Sequence, residues 1–188
     1  ERASRDHLFA LMAREATRLL VTSEEVRRDL DVFAPNQAGK TRILPYVASI
    51  PPEVYSEEPF SALALYHLPE KFIYLPNQFW KHKNHLLVLE ALGQLRNRGV
   101  RPTIVTTGSP VDFRQTGYFG DLMQMLSRLN IRDQFIYLGQ VPRPDVFRLI
   151  RQSVCVLNPS RFEGLGLSVA ESKSLGKRVL VSDRKTVG

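Results

Sequence analysis

The sequence predicts an α/β fold in which a parallel sheet carries helices on both faces. Three observations lead there. From Lys71 onward, short apolar runs alternate with longer stretches of helical spacing. Gly, Pro, Asn and Ser punctuate the ends of these runs. Hydrophobic residues at 43% and charged residues at 24% are ordinary for a globular chain. Strands that alternate with helices imply right-handed βαβ crossovers, and so a parallel sheet covered on both sides. In such sheets ligands sit beyond the carboxyl ends of the strands.

Before Lys71 the pattern is different. Leu8, Leu11, Met12 and Ala16 give residues 5–18 helical spacing. Residues 19–22 read as a strand. Ser23 is placed to cap a helix that has Glu24 and Glu25 in its first turn and Val26, Leu30 and Phe33 on one face. Residues 35–39 end it, and residues 42–45 form another short strand. Residues 48–69 hold Pro51, Pro52, Pro59 and Pro69 among Glu and Ser, which is linker composition. The expected division is 1–47, a linker at 48–70, and a main domain at 71–188.

Within the main domain the expected strands are 72–75, 103–107, 135–138, 154–157 and 179–182. The expected helices between them are 85–98, 113–129, 144–151 and 167–175. No apolar run approaches the roughly 18 to 20 residues that span a bilayer. The N-terminus is charged and lacks a signal-peptide pattern, so the expected location is cytoplasmic, with contact at the inner face of a membrane left open. The single Cys155 lies in an apolar run and offers no disulfide framework. The 26 Lys and Arg against 19 Asp and Glu leave a net charge of +7. They are dispersed and not interleaved with aromatics, so an anionic donor, or an acceptor at an anionic membrane surface, suits them as well as nucleic acid does.

The chemistry concentrates in Asn158-Pro159-Ser160-Arg161-Phe162-Glu163-Gly164-Leu165-Gly166-Leu167, with Glu171 eight residues after Glu163. A strand, a glycine-spaced loop and a helix aim backbone N–H groups and the positive end of a helix dipole at one point, which suits a phosphate. Two carboxylates flank that point and can accept hydrogen bonds from sugar hydroxyls. A second segment, Leu75-Pro76-Asn77-Gln78-Phe79-Trp80-Lys81-His82-Lys83-Asn84, places Lys83 just before a helix, where ammonium and helix N-terminus can converge on an anion. Gly108 and Gly139 follow two further strands at the same sheet edge. His82 and His85 have no further ligand at metal spacing, and neither a P-loop nor a G-x-G-x-x-G turn is present.

The first segment resembles the E-x-x-x-x-x-x-x-E signature of retaining glycosyltransferases of family 4, the "group 1" enzymes with the GT-B fold. Their usual form is P-S-x-x-E-G-F-G-L-x-x-x-E-A-x-x-x-G-x-P-V. Here Leu165 replaces Phe, Ser172 replaces Ala and Arg178 replaces Pro, and both carboxylates and both glycines are kept. The second segment resembles the family's G-R-x-x-x-x-K-G or K-N loop at Lys83-Asn84. Asn77-Gln78 stands where Gly-Arg is usual, which leaves Lys81 or His82 to supply the missing charge. Gly139-Gln140-Val141 resembles F-x-G-x-V.

The resemblance implies a GT-B-type, Rossmann-like donor domain, incomplete at both ends, preceded by the tail of an acceptor domain. It implies a nucleotide-sugar donor, UDP- or GDP-linked, a glycan or lipid-linked acceptor, and no metal, cofactor or nucleic acid. Glu163 would contact the donor sugar and Glu171 the ribose. Lys83 and the N–H groups of Gly164, Leu165, Gly166 and Leu167 would stabilise the departing diphosphate. Gly139, Gln140 and Val141 would lie near the base, and Gly108 beside the diphosphate. A chain with one wall of the cleft is expected to transfer no sugar alone. A sugar-nucleotide-binding module without turnover and a basic nucleic-acid-binding domain stay open as alternatives.

Overall fold

The computed structural model describes residues 2–56 and 62–183. Residues 57–61 of the expected linker and 184–188 of the expected main domain lie outside the described residues. The chain forms two compact units and passes from the first to the second between Val47 and Ala48.

The first unit contains α1 (Arg2–Glu15), β1 (Leu19–Val21), α2 (Glu24–Phe33), a 3₁₀ turn (Pro35–Lys40) and β2 (Thr41–Ile43). β1 and β2 pair in parallel with Leu19 opposite Thr41. Ser23 caps α2, its Oγ accepting the Val26 N–H at 3.3 Å. Lys40 donates to the Arg14 carbonyl at 2.7 Å, a cation at the negative end of α1. The apolar residues expected to pack α1, Leu8, Leu11 and Met12, are exposed, and only Ala13 is buried.

The second unit runs α3 (Glu53–Ser56), α4 (Ala62–Leu65), β3 (Ile73–Pro76), α5 (His85–Asn97), β4 (Ile104–Thr107), α6 (Tyr118–Arg128), β5 (Phe135–Tyr137), α7 (Arg143–Gln152), β6 (Cys155–Asn158), α8 (Leu167–Ser174) and β7 (Val179–Val181). Its strands form one parallel sheet in the order β5-β4-β3-β6-β7. From β3 the chain winds outward to β4 and β5, then returns to lay β6 on the other side of β3. Loops leaving β3 and β6 therefore diverge, and the crevice between them is the topological switch point where open α/β sheets bind ligands.

The two-residue period of a strand sorts the core. Leu75 and Ile104 point into one cluster with Leu89, Leu92, Leu122 and Leu126 of α5 and α6. Their neighbours Tyr74 and Val105 point the other way, onto Phe147, Leu149 and Ile150 of α7. The stretch with linker composition joins this second core. Val54 and Ala62 are buried in it, and Tyr66 donates to Asp145 of α7 at 2.6 Å. Among the described residues this stretch forms the two short helices α3 and α4.

The helix expected from Phe113 begins at Tyr118. The buried Asp112 carboxylate takes the Arg114 and Lys81 N–H groups, at 3.0 and 3.3 Å, and so holds the preceding residues in a loop. A side-chain acceptor competes here with helix formation.

His85 is fully buried and stacked on Phe79, with ring centroids 4.2 Å apart. Burial pushes its imidazole down to about 3, the Asn77 backbone opposing this and Lys83 adding to it. Below the ordinary histidine range the unfolded chain takes a proton that the folded chain refuses, so stability is full above about 6.5 and falls as pH drops towards 3. Urea unfolding of His85→Leu should show a much flatter decline across that window.

Gly108 has φ 138°, and a Cβ there would lie 2.4 Å from the Asn77 carbonyl oxygen. Only glycine lets the loop after β4 lie against the loop after β3. Gly108→Ala should cost roughly 2–4 kcal/mol in chemical denaturation, through strain and displaced backbone.

Candidate functional site

The βα loops after β3, β4, β5 and β6 build the switch-point crevice. After β3 the chain makes a 3₁₀ turn at Lys81–Lys83, then Asn84 takes the left-handed conformation, φ 59° and ψ 39°, and turns it into α5. Asn tolerates that conformation better than most residues. Its buried side chain donates to the Pro159 carbonyl and accepts from Arg161 Nε, each at 3.2 Å. One residue thus ties the β3 loop to the β6 loop.

The β6 loop is organised by Asn158 and Ser160. Ser160 Oγ lies 2.6 Å from Asn158 Oδ1 and 2.7 Å from Glu163 Oε1, so its single proton serves two acceptors. Asn158 Nδ2 adds a 3.3 Å bond to the same Glu163 oxygen. Lys83 completes the cluster, with Nζ 2.7 Å from Glu163 Oε1 and both side chains mostly shielded. Burial raises the Glu163 carboxyl, but Lys83, Ser160 and Asn158 outweigh it and hold it below the usual carboxylate range. Gly166, at φ 64° and ψ 48°, then turns the chain into α8 and leaves the first N–H groups of that helix without a side-chain cap.

A cavity of about 380 Å³ opens here. Lys83, Glu163, Glu171 and Arg143 supply its charges, and Leu165, Gly166, Leu167 and Ser168 form its α8 wall. Gly108, Gln140 and Val141 line it from the β4 and β5 loops. Glu171 is only 2% exposed and forms an ion pair with Arg143, which leans over the Phe147 ring at 4.6 Å.

A family model described as glycosyl transferases group 1 matches residues 56–188. The chain belongs to this family. No curated protein matches the sequence. Among solved structures, this glycosyltransferase chain superposes on sucrose-phosphate synthase from Thermosynechococcus elongatus at TM-score 0.78 and 20% identity, over 96% of this chain and 44% of that one. Anabaena Alr3699/HepE in complex with UDP-glucose gives 0.76 and 19%, over 96% and 49%. A glycosyltransferase from Rickettsia africae gives 0.73 and 16%, over 96% and 48%. The chain spans under half the length of each of these structures. The α/β architecture, a parallel sheet flanked by helices, is that of GT-B glycosyltransferases.

Of the residues singled out in the glycosyltransferase sequence, Lys83, Glu163, Glu171, Leu165, Gly166, Leu167, Gln140, Val141 and Gly108 border the one cavity. Gly139 and Gly164 do not border it. Gly139, at φ 75°, instead accepts the Gly108 N–H through its carbonyl at 2.9 Å. The charge expected from Lys81 or His82 does not reach the cavity, because both border a separate groove. Burial, aided by Lys83 and Arg114, also lowers the His82 pKa and keeps the ring neutral near pH 7. The second cation of the cavity is Arg143, at the first position of α7. Its place two residues beyond Val141, past the end of β5, was the available signal. No helix among the described residues is long and apolar enough to cross a membrane.

Lys83→Met would leave the shielded Glu163 carboxylate without its cation. A loss of roughly 3 kcal/mol is the scale for breaking such a pair. The depressed Glu163 pKa makes its contribution full above the unfolded carboxylate value and lost as pH falls through the folded value. The deficit of Lys83→Met in urea unfolding should therefore be largest near pH 7 and shrink below about pH 4.

Proposed function

We propose that this chain carries the donor half of a retaining glycosyltransferase of family 4, which moves a sugar from a nucleoside diphosphate to a glycan or lipid-linked acceptor. One observation carries the reading: a single switch-point cavity brings two cations, two carboxylates and the uncapped start of α8 together. The HepE complex with UDP-glucose supports a uridine donor over a guanosine one.

In this reading the diphosphate lies between Lys83, Arg143 and the first N–H groups of α8. Lys83 has three N–H donors and gives one to Glu163, so two remain for phosphate oxygens. Arg143 takes the place of the arginine that Asn77-Gln78 lacks. Glu171 meets the ribose hydroxyls, and Glu163 both steadies Lys83 and faces the donor sugar. The acceptor hydroxyl attacks the anomeric carbon on the face that the phosphate leaves. The C1–O bond to phosphate breaks, the hydroxyl proton passes to the leaving phosphate oxygen, and nucleoside diphosphate departs. Charge growing on that oxygen is stabilised by preorganised cations and dipoles, so neither metal nor cofactor is assigned a role. The acceptor meets the donor at the mouth of the cavity, and contact with a membrane surface in the cytoplasm is compatible with the basic charge.

Calorimetry on this chain tests the donor assignment. UDP should bind more tightly than GDP, and Glu171→Ala or Arg143→Ala should each weaken UDP by about 1–3 kcal/mol. Unchanged UDP affinity in both variants would remove the pair from the donor site. Glu163→Ala should weaken UDP less than Arg143→Ala does, because Lys83 stays in the cavity and loses only its anchor. Transfer by the longer protein, with retained anomeric configuration and lost in Glu163→Ala, separates an enzyme from a binding module.

A further inference from the structure

Beside the donor cavity lies a second groove, of about 310 Å³, that the transfer chemistry above does not use. Three loops meet in it: Lys81 and His82 after β3, Asp112, Arg114 and Gln115 after β4, and Arg161 after β6. All lie at the carboxyl edge of the sheet.

The two guanidinium groups of the groove are positioned by hydrogen bonds rather than left loose. Asp112, whose side chain is 3% exposed, accepts the Lys81 N–H and both the N–H and Nε of Arg114. Burial opposes its charge, but these bonds outweigh it and keep its carboxyl below the usual range. The Arg114 guanidinium also lies 5.3 Å from the ring centroids of both Trp80 and Phe113. Arg161 is held by its Nε bond to Asn84 and its backbone bond to the His82 carbonyl. Both guanidinium groups are therefore fixed along their Nε edge. Among the described residues their terminal nitrogens, and the Lys81 ammonium, have no hydrogen-bond or ion-pair partner. With His82 neutral, three cations against the one Asp112 carboxylate leave a net charge of two.

We propose that this groove binds a phosphate monoester carried by the acceptor. A phosphate monoester bears about −1.5 to −2 at pH 7 and offers three strong acceptor oxygens. Fixed guanidinium forks pair with such an oxyanion through charge-assisted bonds. Trp80 joins the two sites. It lines the donor cavity, and its ring centroid is 5.6 Å from that of His82, at the groove. A substrate with its hydroxyl at the donor cavity and its phosphate in the groove would span both across Trp80. The acceptor role rests on the donor-cavity reading, whereas the anion site does not.

Glycerol 3-phosphate is the minimal probe, titrated by calorimetry into the whole chain and into the double variant Lys81→Gln/Arg114→Gln. Binding in the wild type, weakened about tenfold or more in the variant while UDP affinity stays the same, supports the site. Lys81→Gln alone breaks no hydrogen bond, so it keeps the test valid should the double variant not fold, and should weaken the probe about threefold. Sedimentation with vesicles of phosphatidic acid, but not phosphatidylcholine, that is lost in the variants assigns the phosphate to a lipid headgroup. Probe binding without sedimentation assigns it to a soluble acceptor. Absent binding, equal binding in wild type and variants, or displacement of the probe by UDP would each overturn the proposal. Probe binding in a chain that fails to bind UDP would leave the anion site standing and remove the donor reading.

Discussion

The site depends on one constraint: two loops that diverge from adjacent strands must be held together. β3 and β6 are neighbours in the sheet, yet the chain leaves them in opposite directions. Divergence opens the crevice, and the same divergence would let it gape. Asn84 prevents this from the β3 side, bonding to Pro159 and Arg161 on the β6 loop. The Lys83–Glu163 pair makes the second tie. Both ties use buried or shielded polar groups, which are costly unless satisfied. Asn158 and Ser160 supply that satisfaction, so the turn that closes the loop and the carboxylate that faces the cavity belong to one hydrogen-bonded cluster.

This arrangement decides what the ion pair can contribute. An exposed Lys–Glu pair is worth at most about 1 kcal/mol. With side chains 14% and 12% exposed, Lys83 and Glu163 instead resemble a buried pair, whose net worth is small but whose rupture is expensive. The pair is thus better understood as positioning than as stabilisation. It holds an ammonium at the mouth of the cavity with donors to spare, ready for an anion without prior reorganisation.

Much of this was legible in the sequence, and the reasons are specific. The alternation after Lys71 gave the order of strands and helices because each strand is a short apolar run bounded by turn residues. The Glu163–Glu171 spacing stood out because a loop glutamate and one about a turn into the following helix face the same space. Three things were hidden. The packing of residues 48–56 and 62–69 was masked by prolines, since composition does not show that Val54 and Ala62 meet Phe147. The late start of α6 turned on Asp112, whose role needs a backbone N–H from Lys81, thirty-one residues away. Arg143 sits in an ordinary helix-start sequence, and only folding brings it to Glu171.

Arg143 also shows how a family's charge pattern can be met from another element. In the usual pattern the arginine follows the first strand of the domain. Here that position is committed to packing. Gln78 accepts the Ser109 N–H at 2.6 Å, and the Asn77 carbonyl lies where Gly108 must pass without a side chain. A long cationic side chain has no call on either place once the loops are this close. The cavity has a second entry for positive charge at the start of α7, where Phe147 supports the guanidinium and Glu171 anchors it. Anchoring matters because Arg143 is half exposed, and an unanchored arginine would lose side-chain entropy on meeting a ligand. Held by Glu171, it has already lost much of that freedom in folding. The buried carboxylate in turn has a cation beside it, where an unpaired charge would be costly. Each charge makes the other tolerable, and together they leave acceptor and donor groups side by side at the cavity surface.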